Sequence, residues 1–311
     1  MTTLLTVLLG CYLLGGLLPL CTSRPHLQNS LAHSSAAAGG SAGIALGLGG
    51  LFAAQPLTIS VPSNIPYLTC ALRLDPLAAF FVLTISLVGL AASMYAYGYV
   101  REFTGRVSVG LLGSLLNGFL LSMTLVVLAD NGFFFLIVWE VMSLLSYVLV
   151  VTEHERRGVR EAGLFYLIMT HAGTAFIILT FLLFAQESGS FSFEAFRHPD
   201  QRLPEGLRSI AFFTALIGFG AKAGIVPLHV WLPYAHPAAP SHISALMSGV
   251  MIKTAIYGLI RVYFDFLEGQ FPWWWGFTVL SVGAVSALLG VMYALMEHDL
   301  KSLLAFSSVE N

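Results

Sequence analysis

Residues 218–261 read GFGAKAGIVPLHVWLPYAHPAAPSHISALMSGVMIKTAIYGLIR, and this stretch decides the fold. It is apolar enough for two membrane helices, yet it holds Lys222 and Lys253 and is punctuated by Gly218, Gly220, Gly224, Pro227, Pro233, Pro237 and Pro240. Glycines followed by Pro227 predict a helix that breaks beside Lys222. Irregular backbone at membrane depth is tolerated only where it is buried in protein or lines a water-filled cavity, and broken helices mark ion sites in transporters.

The rest of the chain has the same character. Of 311 residues, 14 are Lys or Arg and 16 are Asp or Glu, 10% in all, against 57% hydrophobic. Mean hydropathy is +0.83. So few charges cannot clothe a water-facing surface, which excludes soluble and disordered classes. A net charge of −2 offers no basic face to nucleic acid.

A helix crossing roughly 30 Å of hydrocarbon needs about 20 apolar residues. Nine segments qualify: 2–20, 36–54, 76–98, 107–127, 133–152, 161–185, 209–231, 242–263 and 273–296. The expected fold class is all-α, a polytopic bundle of about nine spans with the start of a tenth. The alternation of a β-barrel is absent. The second span is rich in Ala and Gly and is the least apolar. Asp130-Asn131-Gly132 is a turn signal that divides two spans. The first 20 residues lack a basic n-region and a small-x-small cleavage site, which predicts a retained helix. After Lys301 an apolar segment too short to span runs to Asn311, the expected mark of a fragment of a longer chain.

With the N-terminus on side one, Arg24, Arg101, Arg106, Arg156, Arg157, Arg160 and Lys301 fall on side two. Arg73, Arg197, Arg202, Arg208 and Arg261 fall on side one, together with the long 186–208 loop. That margin favours an exterior N-terminus.

Three charges lie deep within spans: Glu140, Lys222 and Lys253. Each costs at least about 2.5–3.5 kcal/mol at mid-membrane and so marks function. The chain has three lysines against eleven arginines, and two of the three are intramembrane. A desolvated lysine can release its proton, whereas arginine effectively cannot. Glu140 about 4 Å from a lysine would act on it by roughly 4 kcal/mol at an effective dielectric near 20, enough to switch its protonation. A static ion pair between two helices is the alternative.

Ser143 and Ser146 follow Glu140 along one helix face, reading either as part of a hydrated path or as close packing. Lys253 is expected in an uninterrupted helix, with His242, Gly249, Tyr257 and Arg261 on its face. His171, between Thr170 and Thr174, is a candidate relay or a hydrogen-bonded core histidine. His229, His236 and His242 allow a metal site, though no cysteine or carboxylate stands nearby in sequence. Asp75 before Pro76 reads as a helix N-terminal anion. Cys11, Cys21 and Cys70 have no C-x-x-C spacing, which argues against a cluster, zinc or haem held by this chain. No nucleophile–base pair or phosphate loop is present.

WEVMSLLSY (139–147), THAGTAF (170–176), the 218–261 block and HDLKSLLAFSSVEN (298–311) resemble the antiporter-like proton-pumping subunits of respiratory complex I, multisubunit sodium/proton antiporters and membrane-bound hydrogenases. HPAAPSHISALMSG (236–249) looks most like the large membrane subunit of formate hydrogenlyase and related energy-converting hydrogenases. The resemblance implies that Glu140, Lys222 and Lys253 carry proton translocation, with His171, His229 and His242 along the path. It implies other membrane subunits, peripheral hydrogenase and iron–sulfur subunits holding nickel–iron and iron–sulfur centres, and the cytoplasmic membrane of a prokaryote. It also implies lead helices over 1–106, a five-helix repeat over 107–263, and a truncated second repeat over 264–311. Tyr234 departs from the acidic residue common in the wider superfamily. A cation/proton antiporter subunit and a non-pumping truncated scaffold are the alternative readings.

Overall fold

Lipid offers backbone N–H and C=O groups no partner but one another, so the apolar runs become helices. The computed structural model describes residues 1–197, 203–267 and 271–311. Its helices are α1 (Thr2–Leu17), α2 (Pro25–Leu51), α3 (Pro76–Tyr99), α4 (Val109–Leu128), α5 (Gly132–Val150), α6 (Arg157–Ser188), α7 (Phe193–Arg197), α8 (Glu205–Ala223), α9 (Leu232–Ala238), α10 (Ser241–Leu246), α11 (Ile252–Ile260), α12 (Trp273–Met296) and α13 (Leu300–Glu310). Local chemistry sets several boundaries. Asp75, Ser108, Asn131 and Asp299 cap α3, α4, α5 and α13 by accepting a backbone N–H with their side chains. Gly189 and Gly224, at φ +66° and +79°, close α6 and α8.

Among the described residues, eight helical segments are long and apolar enough to cross a membrane, and they coincide with eight of the nine expected spans. The exception is the expected 36–54 span. Helix α2 begins at Pro25, eleven residues earlier, and its glycines, serines and two histidines keep it out of that set. Those small residues bring it against α3. A Cβ on Gly40 would lie 3.1 Å from Ser86 O, and one on Gly47 2.9 Å from Ala79 O. Helix α4 is mostly buried at the centre of the bundle, whereas α12 buries only Trp275, Ser286 and Gly290. The short apolar segment after Lys301 is α13, so close to α12 that a Cβ on Gly290 would sit 2.7 Å from Glu310 N.

One element was not expected in an all-α reading. Strands β1 (Leu57–Pro62) and β2 (Thr69–Leu74) pair antiparallel, from Leu57 opposite Leu74 to Pro62 opposite Thr69. Along β1, Leu57 and Ile59 are half-buried while Thr58 and Ser60 are exposed, the period-2 pattern of a strand. The hairpin joins the turn between α4 and α5, where Asp130 N donates to Ala71 O at 2.9 Å.

That end of the bundle carries an ion cluster the sequence dispersed among loops and span ends. Arg261 reaches Asp75 at 2.5 Å and Asp265 at 2.6 Å, and Arg197 reaches Asp130 at 3.1 Å and Asp265 at 3.5 Å. Arg73 lies 3.7 Å from Asp75. Arg261 was expected near the exposed end of its span, yet it is 5% exposed. Its two carboxylates and the Tyr257 hydroxyl, which accepts from Nε at 2.9 Å, make that burial possible. Arg202, counted on the same side, lies outside the described residues.

The uninterrupted helix expected around Lys253 is corrected as well. Residues 247–251 and 261–266 are π-helical and flank α11. Each π-turn inserts an extra residue, a rotation of about 100°. The stripe from His242 to Arg261 therefore does not stay on one face. Lys253 and Gly249 border a cavity, while Tyr257 is buried and donates to Val127 O at 2.7 Å.

Candidate functional site

The break beside Lys222 is present. Helix α8 ends at Ala223, and Gly224 takes the left-handed conformation with its N–H on Gly220 O at 2.8 Å. A Cβ there would collide with the Leu232 side chain. The chain then passes Pro227, a short 3-10 turn and α9 before Pro240 leads into α10. Lys222 thus occupies the last turn of α8, where unpaired carbonyls favour a cation by about 0.3–2 kcal/mol.

Lys222 is 2% exposed. Its Nζ donates to Ser143 Oγ at 3.0 Å and to Tyr166 OH at 2.7 Å. Ser146 Oγ lies 2.5 Å from the same phenol and donates to Ser143 O at 2.8 Å. Both serines are therefore polar partners of the lysine and also buried packing residues. Trp231, whose Nε1 donates to Ala221 O at 2.8 Å, covers the Tyr166 ring at 4.8 Å between centroids. Burying an ammonium costs several kcal/mol. Two hydrogen bonds to a charged group return about 1.5–3 kcal/mol each. Those two hydrogen bonds offset part of that cost.

Glu140 does not pair with a lysine. Among the described residues its ionic partner is His171, with Nε2 3.2 Å from Oε2, although Glu140 remains within electrostatic range of Lys222. The static Glu140–lysine ion pair is thus absent. His171 Nδ1 lies 2.9 Å from Leu167 O, which can only accept, so Nδ1 carries a proton. A neutral ring would then present a bare Nε2 to the carboxylate. The contact becomes a hydrogen bond only when one further proton lies between them, either on His171 Nε2 or on Glu140. The second carboxylate oxygen, Oε1, is buried without a protein partner. The pair sits on the outer face of α5 and α6, with side-chain exposures of 46% for His171 and 29% for Glu140.

The remaining candidates separate. Lys253 is half-buried, lacks a hydrogen-bond or ion-pair partner among the described residues, and borders a cavity of about 610 Å³ with His236, Ser244, Ser248 and Lys301. His229 opens into another cavity, of about 460 Å³, with Tyr234, Tyr293 and Glu297. His242 is 1% exposed, its ring edge-on to Tyr99 at 5.6 Å. No group of three or more His, Cys, Asp or Glu side chains that could hold a metal occurs among the described residues. Sequence reasoning missed Tyr166. Its signal was a phenol inside an apolar span, where the hydroxyl requires a partner.

Residues 129–311 match the family model described as NADH:quinone oxidoreductase/Mrp antiporter, TM. The chain is 45% identical over 274 residues to hydrogenase-4 component B of Escherichia coli (strain K12), covering 88% of this chain and 40% of the relative. It is 29% identical over 284 residues to formate hydrogenlyase subunit 3 of the same strain, covering 91% and 44%. The chain thus spans less than half the length of these relatives. In fold it is similar to a chain of the Mrp complex from Dietzia sp. DQ12-45-1b, with a TM-score of 0.83, 24% identity, and coverage of 99% of this chain and 33% of that one. It is a multi-pass membrane protein, and it belongs to the NADH:quinone oxidoreductase/Mrp antiporter transmembrane family.

Proposed function

We propose that this chain moves protons within the membrane as part of a hydrogenase-type complex, coupling redox chemistry in partner subunits to ion movement. The observation that carries this reading is Lys222, a fully buried titratable cation at a helix break, held by two neutral hydroxyls and no carboxylate. A buried lysine serving only as a structural charge would be neutralised by an acid. This one is left free to exchange its proton.

Glu140 and His171 supply the control. With the shared proton on His171, the carboxylate is anionic and favours the ammonium form of Lys222. With the proton on Glu140, that attraction is lost. Two unit charges about 8 Å apart at an effective dielectric near 20 would interact by about 2 kcal/mol, which biases the lysine between its forms. Lys253, beside its cavity, is the next acceptor; His229 borders a second cavity, and His242 is a buried group of α10.

An ionisable pair exposed on the outer face of α5 and α6 is costly against lipid. This supports a neighbouring membrane subunit seated there, whose movement would set the position of the shared proton. In this reading, which follows the sequence resemblance to energy-converting hydrogenases, the redox partners would be peripheral hydrogenase and iron–sulfur subunits holding nickel–iron and iron–sulfur centres, in the cytoplasmic membrane of a prokaryote.

Vesicles bearing the assembled complex provide the test. Lys222→Ala and Glu140→Gln should abolish proton uptake coupled to electron flow while leaving the subunit assembled. Coupled proton uptake unchanged in Lys222→Ala refutes the reading. Uptake that requires sodium in the medium points instead to cation/proton antiport.

A further inference from the structure

The first three helices lie outside the region that the family model matches, and the reading of Glu140, Lys222 and Lys253 does not use them. Several of their polar residues, Asn29, His33, Ser86 and Ser93, are nevertheless buried. His33 of α2 is 2% exposed, and neither ring nitrogen has a protein partner. His242 of α10 is 1% exposed, and both of its ring nitrogens are likewise unpartnered. Both lie near the C-terminal turn of α3: Tyr97 O accepts from Asn29, one turn before His33, and the Tyr99 ring packs on His242.

The surroundings of the two rings are polar. One turn before His33, Asn29 Nδ2 donates to Tyr97 O at 2.9 Å while its Oδ1 is buried and unpartnered. Tyr99 stands edge-on to His242 at 5.6 Å, with its hydroxyl 3.5 Å from Ser241 Oγ. Lys301, which donates to Ala239 O at 2.8 Å, is the cation within electrostatic range of both His242 and His236. His236 Nδ1 meets Ser244 Oγ at 3.1 Å, and both residues line the Lys253 cavity. His236 at that cavity, and His242, His33 and Asn29 around the end of α3, are buried groups able to give and take hydrogen bonds.

A neutral imidazole always keeps one N–H, and a buried donor left unpaired costs about 1–3 kcal/mol. Two such rings near the same end of α3, with four unpaired nitrogens, are poor packing elements. Apolar side chains of the same shape would be more stable unless water joins the rings. We propose that His33 and His242 form a water-bridged imidazole pair through which protons pass between the Lys253 cavity and the α2 side of the chain. The step needs no other reactant: one ring accepts a proton on its free nitrogen and releases the proton from the other. This inference rests on the proton-translocation reading above, and it adds to the path a helix for which the family resemblance gives no role.

The test uses the assembled complex in lipid vesicles. With imidazole nitrogens labelled, water-edited solid-state NMR of the unmodified protein should show water contact at both rings, and His33→Phe should remove that contact from His242. Coupled proton flux should fall at least about tenfold in His33→Phe, a change of about 1.4 kcal/mol in barrier. A His33→Phe/His242→Phe double variant should be no slower than the slower single variant, as for two members of one path. Absence of water contact at either ring in the unmodified protein overturns the pair, even if a variant fails to accumulate. So does normal flux in His33→Phe when Lys222→Ala abolishes it. Normal flux in both His33→Phe and Lys222→Ala removes the translocation reading itself, and the pair with it.

Discussion

Substitutions at Asp75 and Arg261 separate helix capping from charge pairing at the hairpin end of the bundle. Asp75 Oδ1 accepts from Ala78 N at 2.9 Å, capping α3, and also receives the Arg261 guanidinium at 2.5 Å. Asparagine caps nearly as well as aspartate but carries no charge. Asp75→Asn therefore removes only the pair. Because Arg261 keeps Asp265 at 2.6 Å, the expected loss is one charge-assisted hydrogen bond, about 1.5–3 kcal/mol. Asp75→Ala loses the cap as well, about 1 kcal/mol more. Arg261→Met leaves Asp75 only Arg73 at 3.7 Å and Asp265 only Arg197 at 3.5 Å, and should cost more than Asp75→Asn, up to about 3–5 kcal/mol.

Unfolding of the full chain in lipid nanodiscs, followed by near-UV circular dichroism against denaturant, measures all three variants. Equal stabilities for Asp75→Asn and Asp75→Ala, or an Arg261→Met variant no weaker than Asp75→Asn, would refute this account. The response to acid is a second check. Burial pushes the Asp75 carboxyl up, but the hydrogen bond and charge of Arg261 outweigh it and hold the group below the ordinary carboxylate range. A depressed carboxylate stabilises the fold above its unfolded pKa, and that stability is lost as pH falls through the folded value. Asp75→Asn should flatten that acid limb. At Asp130 burial prevails over Arg197 and the carboxyl is raised. Its contribution has the opposite sign, present at low pH and lost as pH rises through the folded value. Asp130→Asn should therefore cost less at neutral pH than Asp75→Asn.

Two other substitutions probe the lysine and its helix break. Tyr166→Phe removes the phenol 2.7 Å from Lys222 and should slow coupled proton transfer by about 10–100-fold, the equivalent of one charge-assisted hydrogen bond, without loss of the assembled subunit; unchanged vesicle proton flux would exclude the phenol from the path. Gly224→Ala forces a Cβ into the left-handed region and against Leu232, so it should destabilise the chain by more than about 1–2 kcal/mol, whereas Gly206→Ala, with open space around its Cβ, should be near neutral in the same unfolding assay.

The helices and the break were legible because both follow from local rules. Apolar length dictates a span, Asp130-Asn131-Gly132 dictates a turn, and Gly224 with Pro227 dictates an interruption at Lys222. The hairpin was not legible beside such long apolar runs, since its strands are only six residues each. The π-turns at 247–251 and 261–266 were not legible either. They leave the apolar pattern almost intact and change only which way Lys253 and Tyr257 point.

By itself the sequence determined the membrane class of the chain and that Glu140, Lys222 and Lys253 fall within apolar helical segments, because helix insertion is governed chiefly by residue type along the chain. Partners were decided by tertiary structure. Glu140 meets His171 instead of a lysine, Lys222 meets Ser143 and Tyr166, Arg261 meets Asp75, and His242 meets Tyr99. Hydrogen bonds and ion pairs act over a few ångströms. Residues separated by 79 positions, such as Ser143 and Lys222, or by 186, such as Asp75 and Arg261, come within that range only when whole helices pack.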